Sequence, residues 1–142
     1  ISDYNKGFLR SYECEELCEI YREIPIFVDT KKNNLTCFDK CVIKINEKEY
    51  KEIQQQPKNS DFIVTLGDRG ALYDGKLFKA RSIEVFDVCG AGDVFLSSLV
   101  YGYLTTNSIS KAIELANKCA RISVSKMGTY TLLKEDIDGI CF

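Results

Sequence analysis

Four consecutive residues, Gly90-Ala91-Gly92-Asp93, combine the residue types that phosphoryl chemistry needs. The glycines permit a tight backbone turn and the close approach of a ligand. A helix predicted to follow them would leave its first N–H groups without intrahelical partners, which makes an anion site. Asp93 would lie beside that anion, where a carboxylate can take a proton from an attacking hydroxyl. The alternative is a plain loop-to-helix junction in which Asp93 only complements the helix dipole.

Two further clusters have side chains suited to metal and phosphate. Asn46 and Glu49 share one face at the start of a polar helix, and their oxygens suit a hydrated Mg²⁺. A solvated helix end is the alternative. Thr65, Gly67 and Gly70 follow an apolar run and offer a hydroxyl and close backbone approach to phosphate oxygens. A tight turn leading into a hairpin explains the same residues equally well.

A fourth candidate is Asn117, which interrupts the apolar side of a helix predicted from about Ser108 to Met127. Its amide could contact a base or could satisfy a buried backbone group. Gly128 follows this helix as a C-terminal glycine stop.

Composition excludes several classes of function. The 142 residues suffice for one domain, and the net charge of −2 with interspersed signs gives no footprint for nucleic acid or an anionic membrane. No apolar run is long enough to span a bilayer and no leader suggests secretion, so we expect a cytoplasmic protein. The absence of histidine excludes Ser-His-Asp and Cys-His catalysis. No P-loop motif and no protein-kinase motif set occurs.

The seven cysteines include two C-x-x-x-C pairs, Cys14/Cys18 and Cys37/Cys41, which could form a four-thiolate zinc site. The first pair, however, falls on the apolar stripe of a predicted amphipathic helix. Buried cysteine behaves as a small hydrophobic residue, so we favour free thiols in a reducing compartment.

The elements that must position these residues alternate between strand and helix. Helices are predicted over about 11–23 with Ser11 as N-cap, over 47–56, after residue 92, over 108–127 and over 134–138. Strands are predicted over 26–28, 41–45 and 61–66, and a further strand ends at about residue 88. A hairpin is predicted at Asp74-Gly75 and a loop over 1–7. This order predicts an α/β fold, a three-layer arrangement with a mostly parallel sheet flanked by helices and a small β-hairpin. Polar or glycine clusters at 29–31, 46–49, 65–70 and 87–93 each follow a strand, where such sheets bind ligands.

These motifs together carry a family resemblance. The sequence D-V-C-G-A-G-D at 87–93 resembles the D-[TV]-x-G-A-G-D signature of the ribokinase-like (PfkB) carbohydrate kinases, with Cys89 where threonine is usual. Residues 46–49 and 65–70 resemble the N-x-x-E and T-x-G-x-x-G motifs of that family. Similarity is greatest to the heptose-phosphate branch, which makes ADP-heptose precursors, through S-D-Y-x-K-G at 2–7, V-D-x-K at 28–31, A-N at 116–117 and K-x-G-T at 126–129.

The resemblance implies ATP-dependent phosphorylation of a hydroxyl on a sugar or sugar phosphate. It assigns Asp93 as the base and the N–H groups of Gly90, Ala91 and Gly92 as stabilisers of the transferring phosphoryl group. The resemblance also implies that Asn46 and Glu49 hold Mg²⁺ with its waters and that Thr65, Gly67 and Gly70 contact nucleotide phosphates. It places Asn117 near the adenine, Gly128 in contact with the nucleotide, and a monovalent cation such as K⁺ near Asp87.

Relatives carry a sizeable segment before S-D-Y-x-K-G that supplies most sugar contacts, a strand lid and often the dimer surface. We therefore expect this chain to be the C-terminal, ATP-binding portion of such a kinase, with weak or no turnover by itself. A non-catalytic nucleotide-binding module, or one subunit of a split kinase completed by a partner chain or a second copy, is the alternative. A thiol- or zinc-dependent interaction domain is a third possibility.

Overall fold

The computed structural model describes residues 1–138 and residue 140, with only the backbone described at position 138. Its elements, in chain order, are β1 Ser2–Asp3, α1 Ser11–Ile20, β2 Phe27–Thr30, β3 Val42–Asn46, α2 Glu47–Lys51, β4 Asp61–Thr65, β5 Gly70–Tyr73, β6 Lys76–Lys79, α3 Ala91–Thr106, α4 Ile109–Val124 and α5 Lys134–Asp138. A single 3-10 turn, Gly67–Arg69, precedes β5.

The strands form one six-stranded sheet in the order β1-β2-β3-β4-β5-β6. The first four strands pair in parallel with their neighbours. Asp74 and Gly75 connect β5 to β6 with φ angles of 47° and 70°, the two positive values of a type I′ hairpin turn. The predicted α/β fold, with its mostly parallel sheet flanked by helices and its small hairpin, is confirmed.

Two compact units make up the chain. The first comprises Ile1–Leu66 and Leu72–Lys76, and the second comprises Gly67–Ala71 and Leu77–Phe142. In the first unit, the central strands are buried almost throughout, as expected for parallel strands covered by helices and loops. Their side chains join a core that consists of Cys14, Cys18, Val28, Leu35, Cys37, Phe38, Cys41, Ile43, Ile45 and Val64.

In the second unit, α3 packs closely against α4. A Cβ placed on Gly102 would lie only 2.9 Å from the Cα of Ala112, so glycine lets the two helix backbones approach. Asn107, with φ of 50°, ends α3, and the side chain of Ser108 caps α4 by accepting the Lys111 N–H. The helix predicted over 108–127 is thus present with a shorter C-terminal end, and the helix over 134–138 is present as α5.

The loop predicted over residues 1–7 is wrong at its start, because Ser2–Asp3 forms β1. Backbone bonds define this strand: the Asp29 N–H donates to the Ile1 carbonyl and the Lys31 N–H donates to the Asp3 carbonyl, each at 2.9 Å. The polar sequence at 2–4 lacks the apolar alternation that identifies a strand.

The strand end predicted up to residue 88 is also wrong. Residues 81–90 contain no strand, and Val85, Phe86 and Val88 are at least half exposed. The Phe86 N–H instead donates to the Val124 carbonyl at 2.8 Å, which ties this segment to the end of α4.

Two further helices are shorter than predicted. Helix α2 ends at Lys51 because the backbone N–H groups of Gln54 and Gln55 donate to the Asn33 carbonyl, which draws this segment away from the helix. Helix α1 ends at Ile20 rather than residue 23, and its N-cap is Arg10 rather than Ser11. The Glu13 carboxylate, on the third helical residue, accepts the Arg10 N–H at 2.7 Å and so satisfies the N-cap donor.

Within the part of the chain that the structure describes, no helix is both long enough and apolar enough to cross a membrane.

Candidate active site

The glycine turn before α3 has the backbone conformation that its sequence predicts. Gly90 is the N-cap with φ of 77°, in the left-handed region, and its carbonyl accepts the Val94 N–H at 2.9 Å. A Cβ at this position would also lie 3.1 Å from the Cγ2 of Thr129. Glycine is therefore favoured at position 90 by both conformation and space.

Asp93 lies in the first turn of α3 and is exposed. It lies at a pocket of about 560 Å³ that is lined by Gly90, Asp93, Val94, Ser97, Ser98, Tyr101, Leu115, Cys119, Thr129, Tyr130, Thr131, Leu132 and Ile137. A carboxylate in this position is open to a ligand and lies next to the positive end of the helix dipole.

The N–H groups of this first turn are not equivalent. The Ala91 N–H donates to the Val88 carbonyl at 3.2 Å, closing the turn before the helix. Gly92 and Asp93 are the next helical residues, and N–H groups at these positions have no acceptor within their own helix. Of the three groups assigned to the phosphoryl site, the Ala91 N–H is thus engaged in this structure.

Asp87 joins the two loops that flank the glycine turn. One carboxylate oxygen accepts the Cys89 N–H at 2.9 Å, and the other accepts the Gly128 N–H at 3.1 Å. Asp87 and Gly128 are therefore brought together, and Cys89 contributes its backbone to the same arrangement. A monovalent cation near Asp87 remains a prediction.

The N-x-x-E pair forms a capping box at the start of α2. The Asn46 side chain accepts the Glu49 N–H at 2.9 Å, and the Glu49 carboxylate accepts the Asn46 N–H at 3.1 Å. These reciprocal bonds satisfy two otherwise unpaired helix donors. The pair therefore has a local structural role in addition to the metal role predicted for it.

A network of charged side chains surrounds Glu49 at the carboxyl edge of the parallel strands. The Lys31 ammonium lies 2.5 Å from one Glu49 oxygen and 3.7 Å from Asp29 Oδ1. On the other side, the Lys44 ammonium lies 2.6 Å from Asp29 Oδ2. Asp29 and Lys44 are both buried, whereas the Lys31 side chain is partly exposed, so the network extends from the interior of the first unit to its surface.

The network perturbs the ionisation of Glu49 and Lys31. Burial raises the pKa of the Glu49 carboxyl, but hydrogen bonds from Lys31 and from the Asn46 N–H, with the charges of Lys31 and Lys44, outweigh it, so the pKa lies below its ordinary value. Burial lowers the pKa of the Lys31 ammonium, and the opposing carboxylates of Glu49 and Asp29 raise it above its ordinary value. Both groups therefore hold their charges at neutral pH.

This edge of the sheet suits a hydrated Mg²⁺. Asp29 Oδ1 is buried and has no hydrogen-bond partner, although the Lys31 ammonium is close by. Among the described residues, no group of three or more His, Cys, Asp or Glu side chains could hold a metal ion. Mg²⁺ commonly binds through one or two carboxylates, retained waters and substrate phosphates, so Glu49 and Asp29 fit such a site.

Sequence reasoning placed Asp29 and Lys31 at the sheet edge but missed Lys44. The available signal was a charged residue inside an otherwise apolar strand, Val42–Asn46. Four clusters were predicted to follow strands at one edge of the sheet. The clusters after β2, β3 and β4 agree with the parallel pairing, in which Asn46 and Thr65 are register partners, whereas the cluster at 87–93 follows no strand.

The glycines of the T-x-G-x-x-G segment differ in what surrounds them. A Cβ on Gly70, which has φ of 103°, would overlap the Phe78 carbonyl and lie 2.6 Å from the Ala80 nitrogen. Gly67, with φ of 63°, has open space around its Cα. Hairpin packing thus accounts for Gly70, whereas the space at Gly67 is available to a ligand. The Thr65 hydroxyl donates to the Ile45 carbonyl at 3.4 Å.

Asn117 is half-buried in α4, and its amide donates to the Phe78 carbonyl at 2.9 Å. Two roles were predicted for this side chain, a contact to a base and a hydrogen bond to a buried backbone group. The structure contains the hydrogen bond to the backbone group. A contact to adenine remains a prediction.

The four cysteines of the C-x-x-x-C pairs are all buried in the core of the first unit. The sulfurs of Cys18 and Cys41 lie 3.5 Å apart, within thiol hydrogen-bond distance. They are present as free thiols that fill the core.

The chain combines an α/β sheet with an acid directly after a glycine turn, and comparison with known proteins identifies its family. The model of the pfkB family carbohydrate kinases matches residues 28–136. Bifunctional protein HldE from Campylobacter concisus is 33% identical over 97% of this chain, and HldE from Campylobacter curvus is 31% identical over 92%. The chain belongs to the pfkB carbohydrate kinase family.

Solved structures share the fold at low sequence identity. Ribokinase from Thermotoga maritima superposes with a TM-score of 0.73 over 96% of this chain at 19% identity. A phosphofructokinase-2 mutant from Escherichia coli gives 0.78 over 97% at 15% identity. The chain covers 54% and 53% of those structures, and 34% and 33% of the two HldE proteins. It thus spans about a third of the length of its curated relatives.

Proposed function

We propose that this chain is the nucleotide-binding portion of an ATP-dependent carbohydrate kinase, which transfers the γ-phosphoryl group of ATP to a hydroxyl of a sugar phosphate of the heptose type. The observation that carries the proposal is Asp93, exposed in the first turn of α3 directly after the left-handed Gly90, in a chain of the pfkB family. The heptose assignment is supported by the resemblance of residues 2–7, 28–31 and 126–129 to that branch.

In this reaction, Asp93 accepts the proton of the attacking hydroxyl. Its position beside free helical N–H groups places a base next to an anion site, which is the pairing that phosphoryl transfer requires. The N–H groups of Gly92 and of Asp93 itself stabilise charge on the transferring group, and Gly90 keeps the approach clear of a side chain.

The nucleotide and its metal use the other candidate residues. Mg²⁺, when bound, neutralises charge on the phosphates, and Glu49, Asn46 and Asp29 Oδ1 are the groups that would hold it and its waters. Thr65 and Gly67 contact phosphates, and Asn117 and Gly128 contact the adenosine. The solved structure of aminoimidazole riboside kinase from Salmonella enterica, which has a similar fold with a TM-score of 0.69 to this chain, contains aminoimidazole riboside and an ATP analog.

A second candidate uses the same residues without turnover by this chain alone. It is a nucleotide-binding module, or a subunit of a split kinase completed by another chain. The two candidates differ in activity, not in nucleotide binding.

Calorimetric titration with MgATP tests the proposal. We expect wild type and Asp93→Ala to bind with affinities within about threefold of each other, because Asp93 acts on the acceptor hydroxyl rather than on the nucleotide. Gly92→Val should bind at least about tenfold more weakly, since a branched side chain obstructs the anion site.

Absence of MgATP binding by wild type would contradict the proposal. Binding that is equally tight in Gly92→Val would exclude the glycine turn as the phosphate site. With binding established, a coupled assay of ADP release with heptose phosphates separates an active kinase from the non-catalytic module.

A further inference from the structure

The Lys31 ammonium occupies a cation position between two carboxylates. It lies 2.5 Å from a Glu49 oxygen and 3.7 Å from Asp29 Oδ1. Both carboxylates belong to the edge of the sheet where the Mg²⁺ of the proposed function would bind. A metal ion and this ammonium would therefore compete for the same oxygens.

The Lys31 ammonium leaves one oxygen of Asp29 without a hydrogen bond. Its Oδ2 is bonded to Lys44 at 2.6 Å, but its Oδ1 is buried and has no hydrogen-bond partner. The Asp29 side chain is only 10% exposed, so water contributes little to this oxygen. A buried carboxylate oxygen without a partner is costly, and a divalent ion that approached it would remove that cost.

We propose that Lys31 is an exchangeable counter-ion: it holds the cation position between Asp29 and Glu49 in the free protein, yields it to a divalent metal ion, and then pairs with the nucleotide phosphates that arrive with the metal. This inference rests on the proposed function, because it deepens the role of the same site. It makes Lys31 a nucleotide-positioning residue.

The two lysines of the network differ in the freedom that exchange requires. The Lys31 side chain is 37% exposed, whereas that of Lys44 is 5% exposed and bonded to Asp29. A four-carbon stem with one end in solvent can reorient at small cost, and an ammonium suits phosphate as a point charge. Lys44 is therefore the permanent partner of Asp29, and Lys31 is the mobile one.

Exchange predicts a defined coupling between metal and nucleotide. Without nucleotide, a metal ion must displace Lys31 and leave its charge without a partner. With nucleotide bound, the phosphates supply that partner, so metal and nucleotide strengthen each other's binding. Removing the ammonium should abolish both the competition and this part of the coupling.

The experiment is a Mn²⁺ titration followed by electron paramagnetic resonance, first without nucleotide and then with ADP. Mn²⁺ is a suitable probe because it prefers the same oxygen ligands as Mg²⁺. The variants are Lys31→Met and the matched control Lys48→Met, which removes the same charge from an exposed position next to Glu49. Far-UV circular dichroism verifies that each variant is folded.

Without nucleotide, we expect Lys31→Met to bind Mn²⁺ about tenfold more tightly than wild type, a factor typical of coupled sites, and Lys48→Met to change by less than about twofold. With ADP, the ADP-induced gain in Mn²⁺ affinity should be smaller in Lys31→Met than in wild type. Glu49→Gln should weaken Mn²⁺ binding in both conditions.

Equal Mn²⁺ affinity in wild type and Lys31→Met without nucleotide would overturn the inference, and so would an equal effect of Lys48→Met. Failure of wild type to bind ADP or ATP would instead contradict the proposed function. The titration without nucleotide measures the competition between Mn²⁺ and the Lys31 ammonium for Glu49 and does not depend on nucleotide binding. The two failures are therefore distinguishable.

Discussion

Single residues of the first unit hold charges inside the fold. The Asp3 carboxylate is buried, lies 3.1 Å from the Lys32 ammonium and accepts the Thr30 hydroxyl at 3.1 Å. Burial raises the pKa of Asp3, but bonds from the Asn5 N–H, Lys32 and Thr30, with the charge of Lys32, outweigh it and bring the pKa below its ordinary value of 3.8. Breaking such a pair leaves a buried charge without compensation.

This pair makes stability depend on pH in the acid range. Because the pKa of Asp3 is depressed by folding, its contribution is complete well above pH 3.8 and is lost as the pH falls through the lower folded-state value. We expect Asp3→Asn to lower the free energy of unfolding by about 3 kcal/mol at pH 7 and by less at pH 3. Urea denaturation at pH 7, 5 and 3 measures both.

The control for this prediction is Asp74→Asn in the exposed type I′ turn, where asparagine is equally suitable and little change is expected at any pH. A difference between wild type and Asp3→Asn that stays constant from pH 7 to pH 3 would show that the Asp3 charge does not stabilise the fold.

Cysteine reactivity follows from burial. Of the six cysteines that the structure describes as free, only Cys89 is exposed. Burial raises the pKa of Cys37 to about 12, and burial with the neighbouring thiols and charges raises the pKa of Cys41 as well. We expect iodoacetamide at pH 8 to modify Cys89 on the order of a hundred times faster than Cys37 or Cys41, because the thiolate is the reactive form.

Peptide mass mapping over time measures each site separately, and Cys89→Ser removes the fast phase as a control. Rapid modification of Cys18 together with Cys41 would mean that the core of the first unit opens readily in the native protein.

At the scale of elements, the contact between α3 and α4 depends on one missing side chain. Alanine at an exposed helix position is ordinarily about 1 kcal/mol better than glycine. At Gly102, however, the new Cβ would lie 2.9 Å from the Ala112 backbone, so the helices must separate. We expect Gly102→Ala to lower the free energy of unfolding by about 1–2 kcal/mol, measured by urea denaturation.

Ser97→Ala, at an exposed position of the same helix, is the control and should change stability by less than about 0.5 kcal/mol. A Gly102→Ala protein more stable than wild type would mean that the two helices adjust without cost.

Elements with strong local signals were predictable from the sequence. The Asp74-Gly75 dipeptide identified the hairpin, and apolar periodicity identified α4. Strand β1 was missed because only pairing with β2 makes Ser2 and Asp3 a strand, and the length of α2 was missed because its end is set by bonds to Asn33. Such long-range pairings leave no local pattern in the sequence.

The candidate site shows the same division. Motif spacing correctly predicted that a helix starts after Gly90 with Asp93 in its first turn and that another starts at Asn46, because turn and cap geometry are local. The ion pairs of Lys31 and Lys44 were not predicted, since they join side chains from successive strands and depend on strand register.

At the scale of the whole molecule, the residues that the proposed function uses are distributed over both compact units. Glu49 and Asn46, the metal candidates, belong to the first unit, and Asp93 with the glycine turn belongs to the second. A unit expressed alone would therefore lack part of the residues proposed to bind MgATP. For this reason the calorimetric titration uses the full chain.

The short connection between α3 and α4 also has a kinetic consequence. Asn107 and Ser108 alone separate the two helices, so the contact between Gly102 and Ala112 closes a very short loop. Loops of about ten residues close within roughly 100 ns, whereas pairing Ser2 with Asp29 requires a crossover connection through α1. On refolding, the helical hairpin should form ahead of the β1–β2 pairing. During synthesis on the ribosome the order of appearance is the opposite, because the residues of the β1–β2 pairing emerge before those of the helical hairpin.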